Sequence, residues 1–289
     1  MTRITTSIIA AVLAATSITA FADEAAEAGR RVIAKNQDAI VSVKLVVAYS
    51  MSFGSRDQQS ESKTEAIGTV IDPSGLTLIS LTTIDPSAVL KARARGAQAD
   101  MKIDSEVKDA KIVLADGTEI PAEVVLRDKD LDVAFLRPTE KPAKPFAAID
   151  LSKPAKPQVL DEVVALNRLG KVANRVASVS IERIDALVDR PRPFYILSPG
   201  GSSGVGSPVF ALNGSPLGII LIRNATMDGE ANTASLFSSA SGSLGIMPVI
   251  VPCSDILDDA KQAMEEKKPA ADEKEKEKDK PATPPAPAK

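Results

Sequence analysis

The feature of this chain that most limits its fold is a series of short segments rich in Val, Ile and Leu, each bounded by turn residues. Residues 39–48 read AIVSVKLVVA, and residues 67–71 and 76–80 flank a DPSG turn at 72–75. Short runs of β-branched residues between turn signals are typical of strands. Their repetition along the chain predicts an all-β fold, either a barrel or a sandwich.

The strongest local prediction is a hairpin. Residues 111–114 and 119–126 are joined by Asp116-Gly117, a dipeptide favoured in tight β-turns. Further strands are predicted at 131–136, 162–167, 175–185, 194–197, 208–212, 217–222 and 244–249. The polar residues 51–64 predict an exposed loop, and residues 89–109 predict a long polar excursion.

The N-terminus has the features of a secretory signal. Arg3 precedes an apolar run over residues 8–20, and Ala20-Phe21-Ala22 is a small-x-small cleavage pattern. We expect cleavage after Ala22 and a periplasmic or secreted protein. The run is too short for a typical membrane span, so no integral span is expected after cleavage.

Composition divides the rest of the chain into four parts. We expect a first barrel with an N-terminal helical segment at 23–137 and a Pro- and Lys-rich linker at 138–157. A second barrel with a C-terminal helix that Ser254 caps is expected at 158–264, and a disordered tail at 265–289. The tail of Glu, Lys, Pro and Ala cannot bury apolar surface. It is either a solvated segment or a tether to an envelope partner.

The inventory of reactive residues is short. The chain has one cysteine, Cys253, and no histidine. A single cysteine excludes an intramolecular disulfide, and the shortage of Cys and His argues against a zinc site. The net charge is −3, with no basic stretch suited to nucleic acid. We expect no metal, no cofactor and no nucleic-acid partner, and an inert buried thiol at Cys253.

Several segments resemble, in order, the protease domain of the HtrA/Deg group of trypsin-like serine peptidases. Residues 68–80 (GTVIDPSGLTLIS) are similar to the strand-turn-strand that leads to the family's catalytic histidine. Residues 112–136 (IVLADGTEIPAEVVLRDKDLDVAFL) are similar to the hairpin and the strand of its catalytic aspartate. Residues 160–166, 207–219 and 245–248 resemble later strands. The resemblance implies two six-stranded antiparallel β-barrels of trypsin-like (chymotrypsin) fold and a short C-terminal helix.

Carried over position by position, the family's catalytic triad falls on Thr82, Asp132 and Val205. The aspartate is kept, but threonine cannot act as the base and valine cannot attack a carbonyl. A shifted register in the loop at residues 200–207 puts Ser203 at the nucleophile position, still without a histidine. With no histidine to orient, Asp132 is expected to be a structural acceptor of hydrogen bonds or a surface residue.

These substitutions predict a homologue without catalytic activity that binds a peptide or protein in the cleft between the barrels. The resemblance puts Ser203, Gly204, Gly206 and Ser207 at the floor of that cleft. Substrates of this fold add a strand to a sheet edge, which does not need the triad. Two alternatives stay open: a serine hydrolase that uses Ser203 with a non-histidine base, and a structural envelope protein that no longer uses the cleft.

Overall fold

The structure is a computed structural model, and it describes residues 24–53, 56–88, 90, 102–198, 204–224 and 246–265. The predicted signal peptide and the tail beyond Glu265 lie outside these residues. Ser203 also lies outside them.

Six antiparallel strands close into a first barrel in the order β1-β2-β3-β6-β5-β4. The strands are β1 (Ile40–Phe53), β2 (Arg56–Val70), β3 (Thr77–Ser80), β4 (Lys102–Val113), β5 (Glu119–Asp128) and β6 (Val133–Pro138). Alternate residues of a strand face the same side, and on β1 Val41, Val43 and Leu45 lie in one buried cluster with Ile79 and Leu136. That alternation fills the interior of this barrel.

A second closed barrel follows in the order β10-β11-β12-β9-β8-β7. Its strands are β7 (Glu162–Arg168), β8 (Ala177–Val188), β9 (Phe194–Leu197), β10 (Pro208–Ala211), β11 (Pro216–Asn224) and β12 (Ile246–Pro252). Val163, Ala165, Ile184 and Ile250 belong to its own buried cluster. The predicted pair of six-stranded barrels is therefore confirmed.

The largest apolar cluster includes residues of both barrels and of two helices. Helix α1 (residues 24–36) buries Ala28 and Val32 there, and helix α2 (Cys253–Glu265) buries Ile256, Ala260 and Ala263. These spacings put the buried residues on one helical face. The short C-terminal helix was predicted correctly, but it begins at Cys253, so Ser254 is not its cap.

Two loop predictions are wrong. Residues 51–64 lie almost wholly in a long β1–β2 ribbon, whose ladder extends to Phe53 opposite Arg56. Residues 102–109, predicted as part of an excursion, lie in β4 and pair with the other side of β1. Main-chain groups form the hydrogen bonds between these strands. Because the ribbon is exposed, its side chains are polar on both faces and show no alternation of apolar and polar residues from which a strand could be predicted.

The segment predicted as a linker joins the barrels and packs on both. The Ile149 amide donates to the Val70 carbonyl at 2.9 Å, and the Ala155 amide donates to the Pro216 carbonyl at 2.9 Å. Ile149 and Leu151 are buried in the cluster between the barrels. Throughout the described chain, no helix combines the length and apolar character needed to cross a membrane.

Candidate functional site

A buried carboxylate lies where the two barrels meet. Asp132 is 6% exposed and stands just before β6. Its Oδ1 accepts hydrogen bonds from the amide and the hydroxyl of Thr82, both at 2.7 Å. Its Oδ2 accepts from the Ser80 hydroxyl at 2.5 Å and from the Ile222 amide at 2.8 Å. These donors use the acceptor positions of an ionised carboxylate.

Local structure sets the position of each donor. Ser80 ends β3 and pairs with Val133, directly beside Asp132. The chain then enters a 3-10 turn, Leu81–Thr83, in which the Leu81 amide donates to the Asp132 carbonyl at 2.8 Å. Asp132 has φ 61, a left-handed conformation that aspartate tolerates better than most residues. This turn brings Thr82 against the carboxylate, so two of the three carried-over triad positions lie together.

The electrostatic balance at Asp132 combines two opposing effects. Burial raises the pKa of the Asp132 carboxyl above its ordinary value, and the hydrogen bonds from Ser80, Thr82 and Ile222 oppose that rise. In this arrangement the Thr82 hydroxyl is a donor to the carboxylate. Thr82, which occupies the position of the family's histidine, therefore donates a hydrogen bond to Asp132. This agrees with the interpretation of Asp132 as a structural acceptor.

The loop before β10 is attached to both barrels. The Gly206 amide donates to the Ile220 carbonyl at 2.7 Å, and the Ile220 amide donates to the Ser207 carbonyl at 2.8 Å. From the first barrel, the Thr69 hydroxyl donates to the Gly206 carbonyl at 2.7 Å. Gly206 has φ 97, and a Cβ there would lie 2.4 Å from the Ile67 carbonyl oxygen. Glycine is thus required here by both backbone conformation and space.

The other described residues of this loop are half-buried or buried. Val205, at the nucleophile position, is half-buried. Gly204 lies close to the first barrel, since a Cβ there would be 2.3 Å from Cδ1 of Ile67. Ser207 is fully buried, and its hydroxyl donates to Oδ1 of Asn167 at 3.3 Å. An amide oxygen does not take a proton from a serine at neutral pH. The substrate-binding role expected of Gly204, Gly206 and Ser207 stays a prediction, and Ser203 lies outside the described residues.

Cysteine chemistry is also disfavoured. Cys253 is fully buried at the start of α2. Burial raises the pKa of its thiol to about 12. Cys253 is buried in the core, as predicted. Since the thiolate is the reactive form of cysteine, its inertness stays a prediction that this environment favours.

Sequence reasoning missed the main-chain edge of β11. Its C-terminal half pairs with β12 through Ile222 opposite Pro248 and Asn224 opposite Ile246. The amides of Ile220 and Ile222 both point away from β12, toward Ser207 and Asp132 respectively. By the two-residue repeat of a strand, the Asn224 amide points the same way. These are backbone groups, so no side-chain pattern could have identified them.

An ion pair and a buried arginine fix the second barrel beside the first. Glu65 on β2 accepts two hydrogen bonds from the Arg175 guanidinium, at 2.6 and 2.8 Å. Arg168, 6% exposed, donates to the carbonyls of Gln37, Ile40 and Arg175. Such fork-shaped contacts hold both partners in a defined orientation. Several polar contacts therefore join the two barrels.

The chain is similar to a known protein family. A family model for the trypsin-like peptidase domain matches residues 66–219, more than half of the chain. The match runs from β2 into β11 and includes Thr82, Asp132 and Val205. A comparison with curated proteins finds no match.

Proposed function

Because the chain belongs to the trypsin-like peptidase domain family but contains no histidine, we propose that it is a catalytically inactive member that binds extended peptide in the inter-barrel cleft. The observation that carries this proposal is the Asp132 network. The aspartate that would orient a histidine is engaged by Ser80, Thr82 and Ile222 instead. The carboxylate serves to hold the barrels together.

Loss of the base removes nucleophile activation. A serine hydroxyl attacks a carbonyl efficiently only when an adjacent group takes its proton. Removing the histidine or serine of a triad costs on the order of 10⁶ in turnover. The described serine nearest the family's nucleophile position, Ser207, is buried against an amide. We therefore propose a binding or regulatory role, in the envelope or outside the cell, for a chain whose sequence resembles the HtrA/Deg group.

Peptide binding uses the free edge of β11. Among the described residues, no strand pairs with Ile222 or Asn224 on the side away from β12. The Ile222 amide is taken by Asp132, while the Ile222 carbonyl and the Asn224 amide and carbonyl point toward this side. An extended peptide that adds a strand there gains main-chain hydrogen bonds and needs no catalytic residue.

Replacing Asn224 by proline tests this binding mode. Proline removes an N–H that points to the open edge and leaves the ladder with β12 intact, a placement that edge strands tolerate. We expect the affinity for fluorescein-labelled casein peptides, measured by fluorescence anisotropy, to fall at least about tenfold, which corresponds to about 1.4 kcal/mol. Asn224→Ala, which keeps the N–H, should bind like the parent chain.

The same samples test the absence of catalysis. We expect the labelled casein peptides to stay intact during the binding measurement. Equal affinity of the proline and alanine variants would refute strand addition at β11. Steady peptide cleavage by the parent chain would refute the proposed inactivity.

A further inference from the structure

One buried oxygen at the contact between helix α2 and the first barrel has no hydrogen-bond donor. Helix α2 packs on β5, and Leu126 and Leu131, on either side of Asp128, share a buried cluster with Ala260 of the helix. Asp259 precedes Ala260, and its Oδ2 is the one buried side-chain polar atom without a partner among the described residues. Buried polar atoms are nearly always hydrogen-bonded, so the donor that serves Asp259 has to be identified.

The side chain that meets Asp259 is a second carboxyl group. Asp259 and Asp128 lie within reach of a side-chain hydrogen bond. Asp128 ends β5, and its Oδ1 already accepts the amides of Asp130 and Leu131, at 2.7 and 2.9 Å. Two ionised carboxylates offer only acceptors, so no hydrogen bond forms between them until one carries a proton. Because Asp128 is engaged as an acceptor, Asp259 is the group placed to donate.

The surroundings of the pair favour a proton on Asp259. Burial, followed by the negative charge and the hydrogen bond of Asp128, raises the pKa of the Asp259 carboxyl to about 6. Asp258 on the same helix adds to this rise, and Arg192, between β8 and β9, opposes it. The geometry and the charges therefore agree that Asp259 is the group that holds the proton.

The cations near this contact have other acceptors in the described part of the chain. Arg192 lies 3.9 Å from the Asp130 carboxylate, and Lys129 lies 3.4 Å from the carboxylate of Asp85. On β11, the Arg223 guanidinium donates to the Asp130 carbonyl at 3.2 Å. The repulsion between the two carboxylates is therefore relieved by a proton and not by a direct ion pair.

We propose that Asp259 and Asp128 form a pH-dependent contact that docks helix α2 on the first barrel. With a proton on Asp259, its carboxyl group donates a hydrogen bond to Asp128 and satisfies the buried oxygen. As the pH rises, that proton is released to solvent, and two negative carboxylates then face each other. The docking of the helix is weakened by the lost hydrogen bond and by the repulsion between the charges.

The direction of the pH dependence follows from the raised pKa of Asp259. Folding raises the pKa of this acid from its ordinary value of 3.8, so the folded chain holds the proton more tightly than the unfolded chain does. The contribution of Asp259 to stability is therefore complete below pH 3.8, falls as the pH rises to about 6 and stays low above that. Helix α2 should be held more tightly in mildly acidic solution than at neutral pH.

Asparagine at position 259 isolates this contact from the other titrating groups. Its NH₂ group donates to Asp128 at every pH and does not titrate. At pH 7 we expect Asp259→Asn to lower the unfolding equilibrium constant, measured by urea titration and circular dichroism, about tenfold relative to the parent chain. The full pKa shift would give about 100-fold, but partial exposure of the Asp259 side chain reduces it. At pH 4 the two proteins should be nearly equal in stability.

Two further variants make the test specific. Asp258→Asn is the matched control, because its side chain is 80% exposed on the same helix and pairs with Lys261; it should change the unfolding constant less than about twofold at either pH. Asp128→Asn still accepts both amides through its oxygen and donates to ionised Asp259, so it should reproduce the gain at pH 7. A gain from Asp258→Asn equal to that from Asp259→Asn would overturn the proposal.

Amide hydrogen exchange measures the docking of the helix itself, since segments can open without global unfolding. At pH 7, peptides that cover residues 253–265 should exchange about tenfold faster in the parent chain than in Asp259→Asn, in proportion to the stability difference. At pH 4 the two proteins should exchange alike in this segment. Equal protection of helix α2 in both proteins at pH 7, or a loss of stability in Asp259→Asn at both pH values, would contradict the proposal.

Discussion

Replacing Asp132 by asparagine should destabilise the protein by about 2–3 kcal/mol. Each carboxylate oxygen accepts one main-chain N–H, from Thr82 at 2.7 Å and from Ile222 at 2.8 Å. An asparagine side chain has one acceptor oxygen, so its NH₂ group must face one of these two amides. A buried donor left without an acceptor costs about 1–3 kcal/mol. Rotation of the Ser80 and Thr82 hydroxyls can satisfy the NH₂ group but not the orphaned amide.

Two features of the site make this test specific. Asparagine adopts left-handed φ at least as readily as aspartate, so the φ of 61 adds no cost. Asp116→Asn is a matched control, because Asp116 accepts the Thr118 amide at 2.9 Å in an exposed turn; its effect should stay within about 0.5 kcal/mol. Urea unfolding followed by circular dichroism measures both variants. Equal stability of Asp132→Asn and the parent chain would show that the network does not hold the barrels together.

Gly206→Ala should cost about 2–5 kcal/mol, a second large effect at the barrel junction. The φ of 97 is unfavourable for any L side chain, by about 1–2 kcal/mol. The added Cβ would also lie 2.4 Å from the Ile67 carbonyl oxygen. That contact is with backbone, so it is relieved only by moving β2 away from the loop, and such overpacking costs about 1–3 kcal/mol more.

Gly214→Ala separates the two contributions. Gly214 has φ 84 but no atom within 4 Å of its virtual Cβ, so only the conformational cost applies. In the same urea titration we expect its loss of stability to be smaller than that of Gly206→Ala by about 1–3 kcal/mol, the cost of the close contact. If the two alanine variants are equally stable, the close approach between the loop and Ile67 is not a constraint on the fold.

The sequence predicted those parts of the fold that side chains specify. The Asp116-Gly117 hairpin is present between β4 and β5, with Gly117 at φ 86. The barrels are built from the apolar β-branched segments, whose burial drives their pairing. The β1–β2 ribbon was missed because its outer part is exposed and polar, and its ladder is made of backbone groups.

In the candidate site, too, the sequence indicated side chains but not main-chain groups. Thr82 and Asp132 were identified by position, and they lie in hydrogen-bond contact. The Ile222 amide, which completes the carboxylate's set of donors from the second barrel, has no signature in residue type. The same limit applies to the β11 edge, since every non-proline residue carries the same main-chain donor and acceptor.

Reaction with a fluorophosphonate probe, combined with a casein-cleavage assay, tests the central claim most directly. An active trypsin-like serine peptidase serves as the positive control, and Ser203→Ala controls for labelling at the alternative nucleophile position. With no histidine to activate a serine, the chain should take up no label and leave casein intact under conditions in which the control reacts fully. The account would be contradicted if peptide mass spectrometry located the label on Ser203 or Ser207 and if replacing that serine by alanine abolished casein cleavage. Such a result would require a non-histidine base beside the labelled serine.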